Sequence, residues 1–312
     1  MSAAATHPRA RKPYRRAYVE ISNVCNLQCR FCPPVEREKQ VMPATEFERL
    51  APELAALVDE VCLHLMGEPL NHPEIARVLD ACEQQALPVN LTTNGLLLTG
   101  ERADLALRKI VRQVNVSVHS FAGNFPDRDP APYLERVLRF VRRALAERPD
   151  LYVNLRLWDV GDAAAETADA GVRAGLAAAF GVPMTPLDLR RRKARPLAGR
   201  VAAHFDSRFT WPSPALPERT RQGFCHGLGS HFGVLADGTV VPCCLDKEAA
   251  LALGNARGAP LAAALKGERA RRMRAGFARG ELVEDLCRRC PFVERFDGKA
   301  RRLAAAGGRT HG

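Results

Sequence analysis

The stretch CNLQCRFC holds Cys25, Cys29 and Cys32 at spacing Cys-x3-Cys-x2-Cys. Thiolates are nucleophiles, redox groups and soft metal ligands. A structural zinc site takes four protein ligands. Either a distant residue completes this set or one coordination position is left open. Three thiolates can hold three irons of a [4Fe–4S] cluster. The free iron then chelates a ligand that brings its own hard donors, such as an amino group and a carboxylate. A second set follows far along the chain: Cys225, Cys243 and Cys244, then Cys287-x2-Cys290. A hairpin with one ligand and a Cys-x2-Cys loop with two also suits zinc. Cys62 lies in the apolar run VCLHLM. Cys82 shares a helical face with Ile75, Val78, Leu79 and Ala86. Both read as packing residues.

Alternating strand and helix patterns must position these groups. AYVEIS (17–22) reads as a strand leading into the cysteine loop. MPATEFERLAPELAALVDE is helical, with Thr45 and Glu48 spaced as a capping box and Pro52 as a kink or break. VCLHLM (61–66), PVNLTT, KIVRQVNVSV and LYVNLRLW are further strands, and VPMTPLDL (182–189) is a sixth. Helices fall between them, the strongest being PYLERVLRFVRRALAE, with apolar positions 133, 134, 137, 138, 141 and 145. Such alternation predicts an α/β fold with a parallel sheet, open or closed into a barrel. Right-handed crossovers bring all strand C-termini to one face. There the sequence carries the three cysteines, MGEP (66–69), TTNG (92–95), SVHS (117–120) and NLRLWD (154–159). Polar groups at strand ends are where an α/β barrel keeps its active site. His119 should face that cavity, whereas His64 and His72 read as core or turn histidines.

The 312 residues suffice for a large domain with an appendage. No apolar run of transmembrane length occurs, and residues 1–16 form a basic arm without a signal-peptide core. A cytoplasmic protein is expected, in which thiols are metal ligands or catalytic groups rather than disulfides. The net charge of +11 includes the cluster LRRRKARPLAGR (189–200). Aromatic content is only 6% and no nucleic-acid module is present, so basic solvated faces are the simpler reading. Residues 190–222 read as a Pro- and Arg-rich linker. GVLADGTVVPCC reads as a hairpin turning at Asp237-Gly238, residues 260–278 as helical, and the tail 298–312 as disordered.

Cys25, Cys29, Phe31 and Cys32 resemble the Cys-x3-Cys-x-aromatic-Cys motif of the radical S-adenosylmethionine (radical SAM) superfamily. That resemblance covers 17–189 and implies a partial (β/α)6 TIM-like barrel, reductive cleavage of SAM and a 5′-deoxyadenosyl radical that takes hydrogen from a substrate. Gly67, Glu68 and Pro69 resemble the family's Gly-Glu-Pro motif, which receives the methionyl ammonium; Met66 stands where the family usually has another glycine. By the same resemblance Asn94, Ser117 and Arg156 sit where relatives bind the ribose and the methionyl carboxylate. Phe31 and its neighbouring backbone serve the adenine end, since no glycine motif follows the sixth strand.

Cys225, Gly238, Cys243 and the closing Cys287-x2-Cys290 resemble the SPASM domain, in its shortened "twitch" form because no cysteine follows Cys290. This implies a domain over 223–297 with one auxiliary [4Fe–4S] cluster on Cys225, Cys243, Cys287 and Cys290, and Cys244 left spare. An electron donor such as a flavodoxin or ferredoxin is implied. The substrate suggested first is a peptide or protein, and second a small carbohydrate-like alcohol. An RNA-modifying enzyme and a non-catalytic iron–sulfur protein are the remaining readings.

Overall fold

The structure, a computed structural model, describes residues 12–296. The tail expected over 298–312 and the first 11 residues of the expected arm lie outside the described residues. The chain runs β1 (Tyr14–Val19), α1 (Ala44–Leu57), β2 (Val58–Cys62), α2 (Ile75–Gln84), β3 (Val89–Thr93), α3 (Gly100–Ala106) and β4 (Val111–Val116). It continues α4 (Ser120–Asn124), α5 (Ala131–Glu147), β5 (Tyr152–Leu157), α6 (Ala163–Ala168), α7 (Ala170–Phe180), β6 (Ala194–Ala198) and β7 (Val201–Phe205). The last part holds β8 (His231–Val234), β9 (Thr239–Val241), β10 (Gly254–Asn255), α8 (Leu261–Lys266), α9 (Glu268–Ala278) and α10 (Asp285–Arg288).

All strands belong to one sheet in the order β10-β9-β8-β1-β2-β3-β4-β5-β7-β6. The run β1-β2-β3-β4-β5-β7 is parallel throughout. These are the six strands of a partial α/β barrel. β8 adds to β1 in parallel, so the C-terminal cysteine-rich part continues the barrel's own sheet. Period-2 alternation explains why both faces are stable. Ala17, Val19, Val61, Leu91, Val116, Val153, Leu155 and Phe205 are buried and join the apolar stripes of α1, α2 and α5 in one core. Alternate positions are polar and hydrogen-bond across strands, as Asn154 Nδ2 donates to Asn115 Oδ1 at 3.0 Å.

Several expectations change. The first strand begins at Tyr14, so Tyr14–Arg16, expected in the disordered arm, are sheet residues. The second strand is Val58–Cys62 rather than 61–66, because the chain enters the sheet directly from α1. The segment 182–189 is not a strand; Pro183 and Pro186 remove two backbone donors from it. The sixth parallel strand is β7, inside the stretch read as a linker, and β6 is its antiparallel edge partner. Edge position tolerates Pro196. The capping box at Thr45 and Glu48 does not form: the helix starts at Ala44, and Arg77 takes Glu48 at 2.9 Å. Pro52 lies inside an unbroken α1.

Candidate active site and auxiliary centre

The chain leaves β1 through Glu20–Ser22 and enters the first cysteine loop. Cys25 and Cys32 are exposed and Cys29 is half-buried. The loop is held from its thiols. Leu27 N donates to Cys25 Sγ at 3.4 Å, and Asn124 Nδ2, from α4, donates to Cys29 Sγ at 3.1 Å. Asn124 Oδ1 also accepts from Gln28 N at 3.0 Å. A hydrogen bond from Cys32 lowers the Cys29 thiol to about 7, against burial and with help from Asn124. The same bond and burial raise Cys32. One thiolate is therefore stabilised before any metal arrives.

Gly67 packs against this loop. Its φ is +77°, and a Cβ there would stand 2.1 Å from Ser22 O and 3.0 Å from Val24 O. Only glycine allows that approach. Glu68 N donates to Val24 O at 3.0 Å, joining the loop after β2 to the loop after β1. The Glu68 carboxylate is 2% exposed and accepts from Asn94 N at 2.8 Å and Leu70 N at 3.1 Å. Burial raises its pKa to about 7, opposed by those two backbone donors. Pro69 begins a single 3-10 turn that Glu68 caps. A buried carboxylate near neutrality is a ready acceptor for an ammonium ion.

Asn94 ties the strand ends together. Its Nδ2 donates to Asn26 Oδ1 at 2.7 Å, and its carbonyl accepts from Tyr133 OH at 2.9 Å. Sheet register carries the row onward. Thr93 pairs Val116, Val116 pairs Leu155, and Arg156 pairs His204. Asn94, Ser117 and Arg156 therefore stand side by side one residue further along, all on the wall of one cavity. Among the described residues Arg156 has no ion pair; its guanidinium lies 4.5 Å over the Trp158 ring. Burial lowers its pKa to about 10. Phe31 reaches back to the same wall and packs on His119, with ring centroids 4.7 Å apart. His119 does line the cavity; its Nδ1 pairs with Arg156 O at 2.9 Å, and burial keeps it neutral with a pKa of about 4. His72 is a turn residue, bound through Nε2 to Met42 O at 2.8 Å. His64 departs from expectation: it lines the cavity, with Nδ1 buried and unpartnered.

Cys225, Cys243, Cys287 and Cys290 come from three separate segments and line one cavity. Cys225 Sγ and Cys243 Cβ both lie 3.5 Å from where a Cβ on Gly227 would sit. Gly227 N donates to Cys225 Sγ at 3.3 Å. Burial raises Cys243 and Cys287, and neighbouring thiols of the same group raise them further. A cation placed among these thiols would favour their thiolate forms. Cys244 lines the same cavity. It meets Tyr18 on the barrel floor, and burial raises it to about 12.

Both cysteine sets line one cavity of about 1150 Å³. That exceeds the roughly 300–1,000 Å³ of a site for one small ligand. Among the described residues no three His, Cys, Asp or Glu side chains converge as they would on a single metal ion. Cysteines spread around a larger space fit polynuclear iron–sulfur groups, whose irons each take one thiolate. The two regions are fastened by Glu20, which is fully buried. Its oxygens accept from Met66 N and Ala236 N, both at 3.2 Å, and from Arg37 Nη2 at 2.8 and 3.0 Å. Arg37 Nε in turn donates to Lys247 O at 2.5 Å. One carboxylate thus touches the Gly-Glu-Pro loop, the cysteine loop's return limb and the C-terminal hairpin. Sequence reasoning passed over it, although a lone acid inside AYVEIS (17–22) is a visible signal.

Residues 19–157 match the radical SAM superfamily, and residues 225–291 match an iron–sulfur cluster-binding domain, SPASM. The chain thus carries a radical SAM domain and, C-terminal to it, a SPASM-type iron–sulfur cluster-binding domain, and such domains take SAM and [4Fe–4S] clusters as cofactors. It is 29% identical over 147 residues to a GTP 3′,8-cyclase of Synechocystis sp., a match covering 45% of this chain and 44% of that protein. The chain thus spans less than half the length of that relative. SuiB of Streptococcus suis bound to precursor peptide SuiA superposes with TM-score 0.58 at 16% identity, over 91% of this chain and 73% of that one. BtrN in complex with AdoMet and 2-DOIA superposes with TM-score 0.52 at 15% identity, over 90% and 94%. Likeness at such identity shows the fold. Among the described residues no helix is long and apolar enough to cross a membrane.

Proposed function

We propose that the chain oxidises a C–H bond of a substrate held between the two cysteine sets, and that the substrate is a side chain of a peptide or protein. The observation that carries this is the single cavity bordered by both sets. When bound, SAM and the two clusters would supply the redox chemistry, reductive SAM cleavage with an electron from an external flavodoxin- or ferredoxin-type donor and removal from the substrate of a hydrogen atom, one electron and one proton, the electron passing to the auxiliary cluster and the proton to solvent. In this reading Cys25, Cys29 and Cys32 hold three irons and leave one open. Cys225, Cys243, Cys287 and Cys290 hold the auxiliary cluster fully ligated, so substrate does not bind its iron. Glu68 and the backbone around Gly67 and Pro69 receive the methionyl ammonium. Asn94 and Ser117 serve the ribose, Arg156 the methionyl carboxylate and Phe31 the adenine.

A polypeptide substrate is favoured by the exposed setting of Cys25 and Cys32 at the cavity mouth. Phe209, Trp211 and Phe292 line the same cavity, with ring centroids 5.1–5.4 Å apart. Oxidation of a small alcohol is the second reading; a low-mass substrate is in keeping with BtrN, whose structure holds AdoMet and 2-DOIA on a chain of matching extent. Anaerobic turnover with cell extract split by size separates them. Stimulation of 5′-deoxyadenosine by the polypeptide fraction supports the first reading, and by the low-mass fraction the second. No stimulation by either contradicts both.

A further inference from the structure

We propose that the floor of the cavity is an anion subsite, built by Arg16 and His64 with Tyr18 beside them, and that the substrate carries a carboxylate or a phosphate there. The proposal rests on the radical SAM reading and adds the substrate's chemical class to it.

The balance of charge on the wall comes first. Arg15, Arg16, Lys39, Arg156, Arg208 and Arg295 line the cavity against only two carboxylates, Glu68 and Asp206. Both carboxylates are already committed. Glu68 accepts two backbone N–H groups. Asp206 is held by Lys193 at 2.7 Å and by Arg295 at 3.3 Å. Arg208 is paired outside the cavity set, with Asp162 at 2.9 Å.

Arg16 is different. Its Nη2 meets Glu60 at 2.8 Å, but Arg112 claims the other Glu60 oxygen at 2.6 Å, so one carboxylate serves two guanidiniums. Arg16 Nε is buried with no partner. His64 Nδ1, on the same wall, is buried with no partner as well. Arg16 and Arg156 both disfavour the protonated form of His64, and burial disfavours it more, so the ring is neutral with a pKa of about 3. A neutral imidazole can donate from Nδ1. Arg16 is half-buried and already meets Glu60 and Tyr18, so what invites an anion is the surplus of cations over carboxylates around the cavity together with the two idle donors, Arg16 Nε and His64 Nδ1. Guanidinium forks match carboxylate and phosphate oxygens.

SAM brings one carboxylate, which Arg156 is placed to meet from the strand-end row. Arg16 lies on β1 two residues before Tyr18, deeper along the strand than the cysteine loop. The floor therefore needs a second anion. An acidic side chain of a polypeptide supplies a carboxylate, and a phosphorylated small molecule supplies a phosphate.

The test uses the full chain, reconstituted anaerobically and saturated with SAM. Sodium acetate and inorganic phosphate are titrated against sodium chloride at equal ionic strength. The readouts are the thermal unfolding midpoint and the SAM dissociation constant. We expect acetate or phosphate to raise the midpoint by a few degrees beyond chloride, with SAM affinity unchanged within about twofold. Acetate alone marks a carboxylate substrate, and phosphate alone a phosphate ester. Arg16→Lys, which keeps a cation for Glu60 but loses the fork, and His64→Phe should each abolish the shift and still bind SAM. Equal shifts in chloride overturn the proposal. So does competition between the anions and SAM, which would give these cations to the methionyl carboxylate. Failure to bind SAM at all would instead strike the radical SAM assignment of the site.

Discussion

The two cysteine regions are built on opposite principles. Cys25, Cys29 and Cys32 sit within one loop, two of them exposed, steadied by side-chain amides from α4 and from the end of β3. Cys225, Cys243, Cys287 and Cys290 are gathered from a loop, a hairpin and a short helix, and burial raises every one of their thiols. A local loop can present three ligands and an empty direction. A set closed over long sequence separations can surround a metal group. In the proposed reading that difference would separate a centre that admits a co-substrate from one that passes electrons. Glu20 and the β1–β8 pairing keep the two in one body.

Breaking only the closed set gives the largest contrast. Cys287→Ala/Cys290→Ala should lower iron from about eight to about four per chain. Uncoupled 5′-deoxyadenosine should still form, while oxidised product vanishes. Iron assay and mass spectrometry of the substrate check this, and loss of both products would mean the two regions do not separate.

Gly67→Ala strikes the open set alone. The Cβ would meet Ser22 O at 2.1 Å in a left-handed conformation. A strain of about 3 kcal/mol localised at the SAM loop corresponds to roughly 100-fold weaker SAM binding. Calorimetric titration measures it, and the auxiliary iron should be unaffected.

Glu20→Gln tests the fastening between the regions. Removing one charge of a buried pair costs about 3–5 kcal/mol. The unfolding midpoint of the reconstituted protein should fall by several degrees. An unchanged midpoint would mean that the sheet pairing alone joins the regions.

The smallest effect is in pH. Burial lifts Glu68 to about 7, so below that pH the carboxyl is largely protonated and must lose a proton to pair with an ammonium. SAM affinity should therefore rise by up to about tenfold per pH unit up to about pH 7 and level off above it. Glu68→Gln should bind weakly and flatten the profile.

Much of this was legible in the sequence because spacing encodes it. The cysteine motif, Gly-Glu-Pro and the strand-end polar groups stand at fixed offsets from strands whose outer faces are Val- and Leu-rich. Asn94, Ser117 and Arg156 do fall on one cavity wall. What escaped depends on pairing rather than on local pattern. β7 is only VAAHF, behind an Arg- and Pro-rich run, and reads as a strand only beside β5. VPMTPLDL, expected as the sixth strand, carries Pro183 and Pro186, which take two donors out of any ladder. Arg16 was missed because the first strand was begun at Ala17; period 2 from Tyr18 back would have turned it inward. That the C-terminal part adds to β1 is a tertiary fact with no sequence signature.

The central claim is that the two sets hold two clusters and that only the first cleaves SAM. The direct test compares the wild type with Cys25→Ala/Cys29→Ala/Cys32→Ala, both reconstituted anaerobically, by counting iron and sulfide and then quantifying 5′-deoxyadenosine after SAM and dithionite. The account predicts about eight irons against about four, with 5′-deoxyadenosine formed by the wild type alone. Zinc in place of iron, with no 5′-deoxyadenosine from either protein, would contradict it.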